Sequence, residues 1–212
     1  MAGITEYEVG PFDQISVRGE IPVVYTANPD SVGYARFESA TDLTSALEIS
    51  NNNGKLQIKE ILSDEHDTPL PTVYVYSDYI VNVENEGSCT LEATLPITSP
   101  VFGAKLVGNG KIICHNVHAT KVNASITTGN GTIVLEGQCV EADFKLTGAG
   151  VIQADGLVAD EVNCRVLGTG SIGCNAVELI DVRGAGTTKI YYTGNPRINK
   201  AGGAKLIQME AK

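Results

Sequence analysis

The chain has 212 residues, 42% hydrophobic and 19% charged, which suits one large domain spanning residues 1–212. Its formal net charge of −10 excludes the basic footprint that nucleic acid requires and disfavours an anionic membrane surface. No apolar run approaches the ~20 residues of a transmembrane segment, and no basic-then-apolar export signal is read at the start of the sequence.

Residues 1–86 read as long, irregular rungs of an all-β coil. Phe12, Ile15 and Val17 lead into Gly19, and Ile21 and Val23 follow it. Leu56 and Ile58 follow Gly54 at the same offsets, so Gly19, Gly54 and Cys89 are expected as equivalent corners 35 residues apart. Asp30–Ser45 and Ser63–Pro71 are then excursions, the second polar and punctuated by proline. Ala40–Ile49 has some helical spacing. Val73 and Val75, then Ile80, Val81 and Val83, resume strands, and Tyr74 and Tyr76 alternate outward, an ordinary place for strand tyrosines.

Residues 87–208 carry a regular repeat. Gly-x-Gly units begin at Gly108, Gly129, Gly148, Gly168 and Gly184, with weaker copies at Gly87 and Gly202. The steps from 87 to 202 are 21, 21, 19, 20, 16 and 18 residues, a period that marks stacked repeats. After each unit come apolar positions two residues apart: Leu91, Ile112, Ile133, Ile152, Ile172, Thr188 and Leu206, then Ala93, Cys114, Leu135, Ala154, Cys174, Ile190 and Gln208. Period two is a strand signal. Before the units, Ala142, Phe144 and Leu146, then Val162, Cys164 and Val166, alternate likewise; Val122, Ala124 and Ile126 do so one residue earlier relative to Gly129. The columns recur once per coil, so the expected fold is a right-handed parallel β-helix with rungs of about 20 residues, each stabilised by its neighbours. The glycines serve the corners through positive φ or close backbone approach.

Cys89, Cys114, Cys139, Cys164 and Cys174 are odd in number and form no CxxC pair, so they read as small core residues. Cys114 and Cys174 share a ladder but stand three rungs apart, too far for a disulfide. Near the end, Gly194-Asn195-Pro196 is turn chemistry and Lys205–Met209 a last strand. Unpaired groups on that last rung invite homo-oligomer formation through the open end of the β-helix.

Taken in order, Phe12-Asp13-Gln14-Ile15-Ser16-Val17, Gly54-Lys55-Leu56-Gln57-Ile58, Val73-Tyr74-Val75-Tyr76, the serial Gly-x-Gly corners and Tyr192-Thr193-Gly194-Asn195-Pro196 resemble the bacterial head GIN domain family. That family is described as putative auto-transporter adhesins and is common in Bacteroidetes. The similarity spans residues 12–208. It implies an exported protein of the cell envelope or the extracellular side, often lipid-anchored, with a β-helix and no catalytic residues.

The outward positions supply the candidate site. Counted back from each corner glycine, Lys145, Arg165 and Asp181 share one offset, Asp143, Asn163 and Leu179 a second, and Glu141 and Glu161 a third, with Arg183 nearby. Such a mixed-charge face offers hydrogen bonds to a glycan; its bland counterpart is a solvated face whose exposed pairs contribute little. Asn163→Asp on this face is expected to be nearly neutral, whereas Ile152→Asp would bury a charge in the central ladder. An enzyme reading would use Glu141 and Asp143 as paired carboxylates, or Arg165 and Lys145 to neutralise a uronate.

No metal site is expected: Cys114 and His115 point opposite ways, and His115 with His118 supply two ligands at most. His66 lies in the polar loop. The glycine units precede strands, so they are neither P-loops nor Rossmann turns, and Ile112, Ile133, Ile152 and Ile172 stand where calcium-binding nonapeptides need aspartate. No cofactor is implied. The favoured function is therefore a non-enzymatic adhesin whose rigid face meets carbohydrate or a cell-surface protein. The alternative is a polysaccharide-active β-helix enzyme, lyase-like or hydrolase-like.

Overall fold

The computed structural model describes residues 3–39, 46–61, 69–95 and 99–210. Its strands in the N-terminal part are β1 (Gly3–Glu8), β2 (Gln14–Arg18), β3 (Val23–Ala27), β4 (Tyr34–Ser39), β5 (Leu47–Asn52), β6 (Lys55–Glu60) and β7 (Val73–Ser77). Then come β8 (Asn82–Asn85), β9 (Thr90–Thr94), β10 (Ser99–Leu106), β11 (Lys111–Ile126), β12 (Thr132–Leu146), β13 (Val151–Val166) and β14 (Ser171–Gly184). β15 (Lys189–Thr193), β16 (Arg197–Gly202) and β17 (Lys205–Gln208) close the chain. The helical content among these residues is a single 3-10 turn at Pro29–Ser31, started by the Asn28 side chain accepting from the Asp30 amide.

From residue 82 onward the chain is the expected parallel β-helix. One ladder holds the strands leading into each glycine corner and is called here the approach ladder. The other holds the strands leaving the corner and is the departure ladder. On the departure ladder Thr90, Lys111, Thr132, Val151, Ser171, Lys189 and Lys205 stack in turn, giving steps of 21, 21, 19, 20, 18 and 16 residues. β11 to β14 each serve both ladders, bending midway where register shifts occur, as at Cys114/Val117 and Val134/Glu136. Inward residues alternate along the strands of the central coils and are fully buried: Ile112, Ile133, Ile152, Ile172 and Ile190 on one ladder, Leu106, Ile126, Leu146 and Val166 on the other. Each such side chain contributes ~1.5–3 kcal/mol of burial, but only because the coil above and the coil below cover it.

The corner glycines answer two separate demands. Gly129 has φ +82°, a left-handed conformation that favours glycine. Gly170 is needed for space, since a Cβ there would lie 1.9 Å from the Gly150 carbonyl oxygen of the coil beneath.

The repeat slips at Gly184. Val166 pairs with Gly184, so Gly184 occupies the end of the approach strand and Gly186 stacks at the corner over Gly168. Ile190, not Thr188, therefore joins the isoleucine column, and Tyr192 pairs with Cys174. Thr188 takes the place of a second corner glycine, buried, with its hydroxyl donating to the Gly168 carbonyl at 2.8 Å.

The N-terminal rungs are longer and irregular, as expected, but they stack out of sequence order. β2 pairs with β6 on one side and β8 on the other, and β3 lies between β7 and β9. The rung of residues 14–27 is thus inserted between that of 55–77 and that of 82–94. Leu56 and Ile58 consequently sit on the approach ladder, against Ile15 and Val17, and not after a corner equivalent to Gly19. The corner that stacks on Gly19 is Gly87, whose added Cβ would meet the Gly19 carbonyl oxygen at 2.0 Å. Residues 47–49 of the stretch with helical spacing belong to β5; residues 40–45, and residues 62–68 with His66 and most of the polar loop, lie outside the described residues.

Antiparallel strands finish the N-terminal end: β5 on β6, β4 on β7, and β1 on β4. The other end finishes on β16 and β17, and every residue of β16 is exposed. Lys200 stands in register with the buried Val182, so a charge occupies the core side of the last coil. An inward charge of this kind blunts a sheet edge.

Candidate functional site

The outer side of the approach ladder carries three columns of side chains. The parallel register sets them, because each coil places the same offset beneath the last. The first column is Lys121, Glu141, Glu161, Leu179 and Arg197. The second is Asn82, Gly103, Asn123, Asp143, Asn163, Asp181 and Asn199. The third is Glu84, Lys105, Ser125, Lys145, Arg165 and Arg183.

The corner slip at Gly184 corrects one assignment. Asp181 does not stack with Lys145 and Arg165; Arg183 does, and Asp181 joins Asp143 and Asn163, displacing Leu179 into the glutamate column. Lys121 and Asn123 were missed from the sequence, although counting back from Ile126 instead of Gly129 recovers both.

Glu141 and Asp143 are tied into one network. Lys121 Nζ lies 3.0 Å from Glu141 Oε1 and 2.7 Å from Asp143 Oδ2. Asn163 Nδ2 donates to Glu141 Oε1 at 3.1 Å and to Asp143 Oδ1 at 2.8 Å. Burial alone would raise the Asp143 carboxyl, but the hydrogen bonds from Lys121 and Asn163 outweigh it and hold it below the ordinary carboxylate range. In the third column, Glu84 is 9% exposed and bonds Lys105 and Lys55. Burial pushes its carboxyl up as well, and the two ammonium groups again bring it below the usual value.

Asp181 and Arg183 pair along one strand, with Arg183 Nε at 2.9 Å from Oδ1 and a second guanidinium nitrogen 3.0 Å from Oδ2. Lys145 and Arg165 are exposed and form no ion pair among the described residues; Glu161 is exposed and likewise unpaired there. Asn123, Ser125, Asp143, Lys145, Asn163 and Arg165 border a shallow depression of about 230 Å³. The structure thus brings Asp143, Lys145 and Arg165 to one depression, with Glu141 tied to it through Asn163. Asp181 and Arg183 lie one coil on.

Other candidates separate. Cys114 is buried and His115 half-exposed, facing opposite ways as the alternation requires. His115 does not meet His118: its Nδ1 lies 2.7 Å from Glu136 and its Nε2 3.2 Å from Glu92, while His118 contacts the Asn116 carbonyl. The Glu136 hydrogen bond above all raises the His115 pKa, against the opposing effect of burial. Four cysteines are buried, and burial pushes the Cys139 thiol up to about 11 and the Cys174 thiol to about 12. Tyr74 and Tyr76 do point outward between buried Val73 and Val75; the Arg36 guanidinium lies 5.6 Å from the Tyr76 ring centre.

A family model described as "Putative auto-transporter adhesin, head GIN domain" matches residues 11–196. A Bacteroides fragilis protein described as a putative adhesin has a similar structure, with a TM-score of 0.82 at 22% identity over 99% of this chain and 96% of that one. A putative adhesin from Parabacteroides merdae gives 0.73 at 21% identity, covering 100% of this chain and 96% of its own. A Parabacteroides distasonis protein described as a putative lipid binding protein gives 0.76 at 18%, covering 100% and 97%. At these identities the likeness establishes the fold. No curated protein sequence matches the chain.

Proposed function

The chain belongs to the head GIN domain family of auto-transporter-type adhesins, and from that premise we propose that it works at the cell surface as a non-enzymatic adhesin whose approach face binds glycan. The observation that carries this reading is the outer face itself. It repeats amide, carboxylate and cationic groups at the same offsets over successive coils. Stacked strands stand ~4.8 Å apart, so the hydrogen-bonding groups form a fixed grid. A rigid grid loses little conformational entropy when a ligand settles on it.

The state of the carboxylates favours binding over turnover. A glycosidase needs one carboxyl raised in pKa to act as acid. Asp143 is held low instead, and Glu141 shares the same lysine and the same asparagine. Both groups are already engaged in ordering the face.

A panel of purified acidic and neutral polysaccharides tests the proposal. Retention of intact polymer on immobilised protein, without new reducing ends or unsaturated products, is the expected outcome. Cleavage of any polymer would overturn the non-enzymatic reading, and failure to retain any of them would overturn the glycan reading in favour of a protein partner.

A further inference from the structure

Lys145, Arg165 and Arg183 stand one above another on adjacent coils. Like charges directly opposite each other across a strand pair are destabilising, and here the protein holds three in a row on a chain whose net charge is −10. The neighbouring acids do not offset the first two. Asp143 is taken by Lys121 and Asn163, and among the described residues Asp181 bonds Arg183. Lys145 and Arg165 are therefore left as uncompensated cations at the rim of the depression, beside the Asn123, Asp143 and Asn163 column.

We infer that this depression is a subsite for an anionic sugar, and that the ligand is a linear acidic polysaccharide lying along the coil axis. The inference rests on the glycan reading above and specifies its ligand. The anionic group, a carboxylate or a sulfate, sits between Lys145 and Arg165. Guanidinium hydrogen bonds to such a group are charge-assisted and directional. Sugar hydroxyls face the second column, where Asn123 and Asn163 donate or accept and Asp143 accepts. Both columns advance one residue per coil, so a polymer with an anionic group in every unit meets the same pair of columns again at each step. The Asn column continues to Asn199, while the cation column runs from Lys145 to Arg183. Such repetition makes affinity grow with ligand length, because each further unit binds as a tethered neighbour of the last.

Polygalacturonate, its carboxyl-reduced neutral form and a sulfated dextran beside unsulfated dextran are the probes, with binding measured at low and high salt. Wild-type protein is expected to bind at least one anionic polymer about tenfold or more tightly than its neutral partner, since a hydrogen bond to a charged group is typically worth a tenfold change or more. Salt should erase that margin. The polygalacturonate and sulfated arms tell carboxylate from sulfate. Short galacturonate oligomers should bind more tightly as they lengthen. Lys145→Ala with Arg165→Ala should remove the preference without lowering the melting temperature. Equal affinity for charged and neutral partners, or an undiminished preference in the double variant, overturns the inference while sparing the glycan reading. Binding of no polymer overturns both.

Discussion

The same coils present two different outer faces. On the approach side, the central column runs Asn123, Asp143, Asn163, Asp181 and Asn199, flanked by columns of glutamates and cations. On the departure side, the equivalent column is Glu92, Ile113, Val134, Gln153, Gly173, Tyr191 and Ile207, uncharged from Ile113 on. Backbone, period and inner packing are shared, so none of these explains the contrast. Outward positions of a β-helix are free of the core, and their chemistry is set by what they meet. On the approach side two carboxylates, a lysine and an asparagine join in one hydrogen-bonded network across three coils, and on the departure side His115 joins Glu92 and Glu136.

The largest way to break this comparison is to turn an inner position into an outer one. Ile152→Asp places an unpaired charge at a fully buried site in the middle of the departure ladder, at a cost of several kcal/mol, and thermal unfolding should show loss of the cooperative fold. Gln153→Glu, one residue on and exposed, should leave the melting temperature unchanged. Asn163→Asp is not a neutral control, because it removes two hydrogen bonds and adds a third carboxylate beside Glu141 and Asp143.

A smaller effect separates the glycines. Gly170→Ala meets the Gly150 carbonyl oxygen and should cost about 1–3 kcal/mol through overpacking. Gly173→Ala, on the departure face, meets nothing nearer than 3.5 Å and should be tolerated. Denaturant midpoints of the two variants decide this.

At the last coil both faces end, and Lys200 interrupts the inner column there. We propose that this charge restrains the pairing through the open end that the bare last rung invites. Lys200→Ile should raise the mass seen by light scattering toward that of a dimer as concentration increases; an unchanged mass would show that the lysine does not guard the edge.

The smallest effect is on pH. His115 is bracketed by Glu92 and Glu136, and its pKa is raised in the folded state. Its contribution to stability is therefore full below the ordinary histidine value of about 6.5 and is lost as pH rises through the raised one. The melting temperature of His115→Gln should fall below that of the wild type near pH 6 and converge with it at alkaline pH. The site is partly exposed, so solvent screening keeps the difference small.

What the sequence showed and what it hid follow from the range of the interactions. The rungs from residue 87 on were legible because each contact partner lies about one period away, and a short window contains both the strand pattern and its corner. The slip at Gly184 was not, since Gly184-Ala185-Gly186 looks like its predecessors while its first glycine has moved into the strand. β16 was missed because, on an uncovered coil, Arg197 to Gly202 need no apolar alternation. The N-terminal order was hidden for a different reason. β3 meets β9 with Val23 opposite Leu91, a pairing far longer than any local pattern. Asn85 shows the cost of that join: a buried amide at the inner position beside Leu106, satisfied by the Cys89 and Lys111 carbonyls and the Gly87 amide. For the candidate site, residue types and most offsets were readable, whereas the pairing of Lys121 with two acids needed the register.

The most direct test of the account sets the two faces against each other. Retention of the best-bound polysaccharide would be measured for wild type, for Lys145→Ala/Asn163→Ala/Arg165→Ala on the approach face, and for Gln153→Ala/Tyr191→Ala on the departure face. The account predicts that the approach variant loses binding by about tenfold or more and that the departure variant keeps it, with both still folded. Loss in the departure variant, with full retention in the approach variant, would contradict it and move the ligand to the other side of the coil.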